Sequence, residues 1–112
     1  MDALERATLW VPVLLWGGLI FVLSSIPDLA TGLGLADLVV RKIAHFIEYA
    51  VLGALLFRAI GREPVAFVLG ALYAATDEIH QAFVPGRLGS PLDWLIDTAG
   101  AAAGVLVLAR FR

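Results

Sequence analysis

The chain has 112 residues, of which 61% are hydrophobic and 16% charged, and its formal net charge is -2; the mean hydropathy is +0.91. A soluble domain of this length needs a charged surface that such a composition does not supply, and without a basic excess there is no footprint for nucleic acid. There is no cysteine, which excludes disulfides and thiolate chemistry.

Between Ala7 and Pro27 no charged residue occurs, a stretch sufficient to cross a hydrocarbon core of about 30 Å at about 1.5 Å per residue. A first helix is predicted over about 5–24. A signal peptide is the rival reading, but the start Met-Asp-Ala-Leu-Glu-Arg is not basic and no small-residue cleavage site follows cleanly. Residues 27–36, with Gly, Asp and Pro, read as a loop. A second helix over about 38–60 carries Arg41, Lys42, His45 and Glu48 in its first half. After the turn Gly61-Arg62-Glu63-Pro64, a third helix runs over about 64–84, with Pro64 at a favoured first position. It is uncharged to Thr76 and then holds Asp77, Glu78 and His80. Pro85-Gly86-Arg87-Leu88-Gly89 is a second turn, and a fourth helix spans about 91–110. The expected fold is therefore an all-α integral membrane protein, a single domain over 1–112 forming a four-transmembrane-helix bundle with short loops.

Basic residues near helix ends set the orientation. Arg6, Arg58, Arg62, Arg110 and Arg112 fall on one side; Arg41, Lys42 and Arg87, mixed with acids, fall on the other. Both termini are expected in the cytoplasm of a bacterial cell and the 25–37 and 85–90 loops outside its inner membrane. With four spans, Lys42, His45 and Glu48, then Asp77, Glu78 and Gln81, then Asp93 and Asp97 all come to the outer half.

Helical phase narrows the cluster. Lys42, His45 and Tyr49 share a face at i, i+3 and i+7; Tyr73, Asp77 and Gln81 share one at i+4 steps. Asp93, Asp97, Gly100 and Gly104 share a face of the fourth helix, where the two glycines allow close helix contact. Charges at such depth cost about 2.5–3.5 kcal/mol against lipid, so they require partners, water, a proton or a cation. Bland readings stand beside this one. Asp93 fits a capping box with Ser90; Lys42 and Arg87 suit the headgroup region; His45 could be a hydrogen-bonded core histidine. His80 points away from Asp77, and Tyr49 and Tyr73 read as packing residues with a polar tip.

Three blocks, in order across residues 40–104, resemble the VanZ-like family of small bacterial integral membrane proteins. They are Lys42-Ile-Ala-His45-Phe46-Ile-Glu48-Tyr49, Asp77-Glu78-Ile-His-Gln81 running to Arg87, and Ser90-Pro-Leu-Asp93 followed by Asp97-Thr-Ala-Gly100. The resemblance implies a multispan cell-envelope protein with these polar residues as its signature. The founding member is associated with resistance to the lipoglycopeptide teicoplanin; the resemblance supplies no reaction. Where this chain has Asp97, the family often has Asn.

Two main functions compete. In the first, an outer-leaflet pocket of Lys42, His45, Glu48, Asp77, Glu78, Gln81, Arg87, Asp93 and Asp97 binds a lipid-linked envelope component or a lipoglycopeptide, with membrane lipids as partners and a second copy of the chain as a candidate partner. In the second, the protein is a membrane-embedded hydrolase or transferase in which Asp77 or Glu78 acts as general base and His45 as acid. A metal-assisted form would use His45, Asp77, Glu78 and Asp97, but no dense motif such as His-Glu-x-x-His is present, so neither metal nor cofactor is assigned. Proton- or ion-coupled transport is a third reading.

Overall fold

The structure, a computed structural model, describes residues 2–25, 35–84 and 91–111, with side-chain burial from residue 39 in the second segment. Among these residues there are four α-helices and no strand: α1 (Ala3–Ser24), α2 (Leu35–Ile60), α3 (Glu63–Ala82) and α4 (Pro91–Arg110). Helix α1 starts two residues before its predicted boundary because Asp2 caps it, its Oδ1 accepting from the Glu5 N–H at 2.7 Å. Helix α2 starts at Leu35, inside the stretch expected to be loop. At the other end of α3 the helix stops short of residue 84. There the Phe83 and Val84 N–H groups turn back to the carbonyls of His80 and Gln81, each at 3.1 Å, the tighter i→i+3 pattern that often closes a helix.

Gly61 ends α2. Its φ is 76°, and its N–H donates to the Phe57 carbonyl at 2.7 Å. Only glycine takes this left-handed conformation without a steric cost, which for other residues is about 1–2 kcal/mol. Gly61→Ala should therefore lower stability by about 1 kcal/mol. Thermal unfolding of the detergent-solubilised protein checks this, since nothing lies within 4 Å of the added methyl group to compensate or to clash.

Helix α1, residues Val39–Ile60 of α2, and helix α4 are each long and apolar enough to cross a membrane. Helix α3 has 20 residues, but Asp77, Glu78, His80 and Gln81 crowd its last turns and it does not reach that apolarity. The expected four-span bundle is thus met as four helices of which three qualify as spans. Large apolar side chains such as Leu14, Leu15, Phe21, Val40, Leu72, Leu95 and Leu106 point outward and exposed, a surface suited to lipid rather than water.

Cross-helix contacts fix the arrangement. Helices α2 and α4 run parallel, since Phe46 faces Gly100 and Ala50 faces Gly104. They share the most extensive interface, and α1 packs on α2 and α3. The core holds Val13, Ile20, Tyr49, Leu52, Leu56, Phe57, Ala66, Ala74, Ala101 and Val105. Two indole N–H groups tie helices together through backbone carbonyls: Trp16 to Glu48 at 2.8 Å and Trp94 to Ala71 at 3.1 Å.

Candidate functional site

Lys42, His45 and Tyr49 lie on successive turns of one face of α2, and each meets a different aspartate. At the outermost turn, Lys42 Nζ pairs with Asp93 Oδ1 at 2.5 Å; both side chains keep partial exposure. One turn further in, His45 Nδ1 lies 3.3 Å from Asp97 Oδ1, without hydrogen-bond geometry. At the third turn, the Tyr49 hydroxyl donates to Asp77 Oδ2 at 3.0 Å. The steps 42, 45, 49 on α2 and 93, 97 on α4 keep these residues on facing sides of parallel helices, while α3 brings Asp77 in from the third side.

Burial deepens along this ladder. Asp77 is 4%, Gln81 2% and Asp97 0% exposed. Of the four carboxylate oxygens on Asp77 and Asp97, Asp77 Oδ2 accepts a hydrogen bond, while Asp77 Oδ1 and both Asp97 oxygens have no hydrogen-bond partner among the described residues. Gln81 Nε2 and Thr98 Oγ1 are likewise buried without one. Buried polar atoms are nearly always satisfied, and a buried charge is paired or holds an ion. Two carboxylates and one imidazole therefore converge where acceptors outnumber donors.

The predicted site residues sort into groups. Lys42 joins Asp93, and His45, Asp77 and Asp97 come together; one ligand-type atom from each of these three lies within 4.8 Å of the other two. Gln81 is buried on the same face of α3 as Asp77. Glu48 and Glu78 are only partly buried and stand outside the His45–Asp77–Asp97 group. Arg87 and Ser90 lie outside the described residues. His80 serves structure: its ring stacks on Phe21, centroids 4.3 Å apart, and its Nε2 lies 2.8 Å from Ser25 Oγ.

Tyr49 and Tyr73 do more than the packing expected of them. Tyr49 is completely buried and holds Asp77. Tyr73 donates its hydroxyl to the Gly17 carbonyl on α1, and the two rings are tilted at 48° with centroids 6.2 Å apart. The spacing of Tyr73, Asp77 and Gln81 puts the tyrosine on the acid's own face, which is the signal that was available. Below the pair, a groove of about 370 Å³ between α1, α2 and α3 is lined by Val13, Gly17, Gly18, Leu52, Leu56 and Tyr73, among others. An apolar slot thus begins where the polar ladder ends.

Among families of known proteins, the model of the family described as VanZ/LLP1 matches residues 8–112. No curated protein and no solved structure matches the chain.

Proposed function

Since the chain belongs to the VanZ/LLP1 family, we propose that it is a cell-envelope membrane protein that binds a lipid-linked envelope component or a lipoglycopeptide. The polar head would enter the ladder between α2, α3 and α4, and the apolar tail the groove beneath Tyr73. The observation that carries this reading is the tyrosine pair: Tyr49 faces the buried acids, Tyr73 lines the apolar groove, and their rings meet. A ligand with a polar head and a hydrocarbon tail needs that adjacency. Among the described residues, Lys42 supplies a cation at the mouth; Arg87, which lies outside them, would add a second contact for phosphate or carboxylate. The link to teicoplanin-type resistance rests on the family alone.

In this reading α3 crosses the membrane as the fourth span, its acids turned to α2 and α4, and both termini are cytoplasmic. The arginines at positions 6, 58, 62, 110 and 112 support that orientation. The hydrolase or transferase reading draws on one observation, the imidazole of His45 beside two buried carboxylates, which is an acid–base arrangement in want of an assigned substrate.

Native mass spectrometry of the protein extracted from bacterial membranes in mild detergent tests the binding reading. Gly18 lines the groove, and nothing lies within 4 Å of a Cβ built there. A Gly18→Phe substitution therefore starts from open space and adds bulk at the wall of the slot. Wild-type protein should retain an anionic lipid, and Gly18→Phe and Arg87→Ala should each lower its occupancy roughly tenfold, the effect of about 1.4 kcal/mol. Wild-type protein free of lipid, or equal retention in both variants, overturns the proposal.

A further inference from the structure

We infer that His45, Asp77 and Asp97 form a divalent metal site, each contributing one ligand from a different helix. Their candidate ligand atoms lie within 4.8 Å of one another. A metal–ligand distance of about 2.1 Å places neighbouring ligand atoms about 3.0–3.4 Å apart, so the most widely separated of the three close by up to about 1.4–1.8 Å on the ion.

The second observation is independent of that grouping. Asp97 is 0% exposed, and neither of its carboxylate oxygens has a hydrogen-bond partner. Asp77 is in the same condition at Oδ1, while its Oδ2 is held by the Tyr49 hydroxyl at 3.0 Å. That is how a ligating carboxylate is held: one oxygen oriented by an outer hydrogen bond, the other turned to the ion. Among the described residues, Asp97 has no hydrogen bond on either oxygen and its Oδ1 meets the His45 imidazole nitrogen at ion-pair distance, 3.3 Å; a cation bound by both groups would relieve the cost of burying that carboxylate.

The ligand set narrows the metal. One imidazole and two carboxylates, with no thiolate anywhere in the chain, suit Zn2+ or Mn2+ better than soft metals, and the imidazole disfavours Mg2+ and Ca2+. Three protein ligands leave at least one coordination position open. The ion also resolves a conflict of sign. Two buried carboxylates repel a phosphate, whereas the same pair around a divalent cation presents no excess negative charge and an open position for a phosphate oxygen. This last step rests on the proposed binding of a lipid-linked component; the metal site does not.

The test uses the full chain, stripped with a chelator in detergent and titrated with Mn2+ or Zn2+ alone. One ion per chain is expected. Asp97→Asn and His45→Ala should weaken binding at least 100-fold, and Tyr49→Phe, which removes only the outer hydrogen bond, about 10- to 100-fold. Glu63→Gln, at the far end of the bundle, should change nothing. Mn2+ bound to wild type should show nitrogen hyperfine coupling by electron paramagnetic resonance, lost in His45→Ala. A wild-type chain that binds neither ion, or an Asp97→Asn chain that binds as tightly, overturns the site. Lipid retention measured on the same samples separates the two ideas. Lipid lost on chelation and restored by the ion supports the bridge; lipid held equally without metal overturns the bridge and leaves the binding reading standing. Metal bound by a chain that never retains lipid overturns the binding reading and leaves the metal site standing.

Discussion

Gly104→Ala should destabilise the bundle by about 1–3 kcal/mol, and Gly104→Leu by more than that. Helix propensity alone gives the opposite sign, because a helical glycine is worse than alanine by about 0.5–1 kcal/mol. Packing decides the matter here. A Cβ at Gly104 would overlap the Ala50 carbonyl of α2, and Gly100 stands in the same relation to Phe46 and Gly53 to Ala101. In each case the obstacle is backbone, so no side chain can swing aside. The parallel helices α2 and α4 are thus in backbone contact through three glycines, close enough for Cα–H groups to point at carbonyls. That contact holds Lys42 and His45 of α2 against Asp93 and Asp97 of α4; pushing α4 away opens these two rungs together. Gly18→Ala is the control, with nothing within 4 Å of the added methyl group, and should be neutral or slightly stabilising. Unfolding in detergent with increasing sodium dodecyl sulfate, followed by the fluorescence of Trp16 and Trp94, reads both. A Gly104→Ala protein as stable as wild type would falsify the close-packed α2–α4 seam.

Much of this arrangement was legible in the sequence because helical periodicity is rigid. The i, i+3, i+7 spacing of residues 42, 45 and 49 needs no tertiary information, nor does the alignment of Asp93, Asp97, Gly100 and Gly104. An even number of helices between the blocks then brings them to one end. What periodicity does not give is azimuth and depth between helices. It therefore left open that Lys42 meets Asp93 while His45 meets Asp97, and that Asp77 rather than Glu78 enters the group. Adjacent acids sit about 100° apart on a helix, so the choice depends on how α3 is rotated against its neighbours. Gly53 has no small-residue partner at i+4 on α2, so spacing alone does not mark it as a seam residue. For α3 the length suffices for a span, but its last turns are more polar than those of the three helices that qualify by apolarity.

Tyr49→Phe should cost about 1–3 kcal/mol, although it removes a single oxygen atom. The hydroxyl is the hydrogen-bond donor to Asp77, and both residues are buried, so the carboxylate loses its donor where no water replaces it. Asp77→Leu alone strands the hydroxyl instead and should cost a similar amount. The double variant Tyr49→Phe/Asp77→Leu removes donor and acceptor together and should return to within about 1 kcal/mol of wild type, because a buried polar pair replaced by apolar groups of similar size is often neutral or stabilising. The same double variant should lose metal binding, because a ligand is gone. Stability restored without binding would mean that the buried acids are kept for what they hold and not for the fold. If the double variant is instead as unstable as the two single losses added together, Tyr49 and Asp77 are not coupled through their contact, and the case for a carboxylate held by Tyr49 for a ligand weakens at its centre.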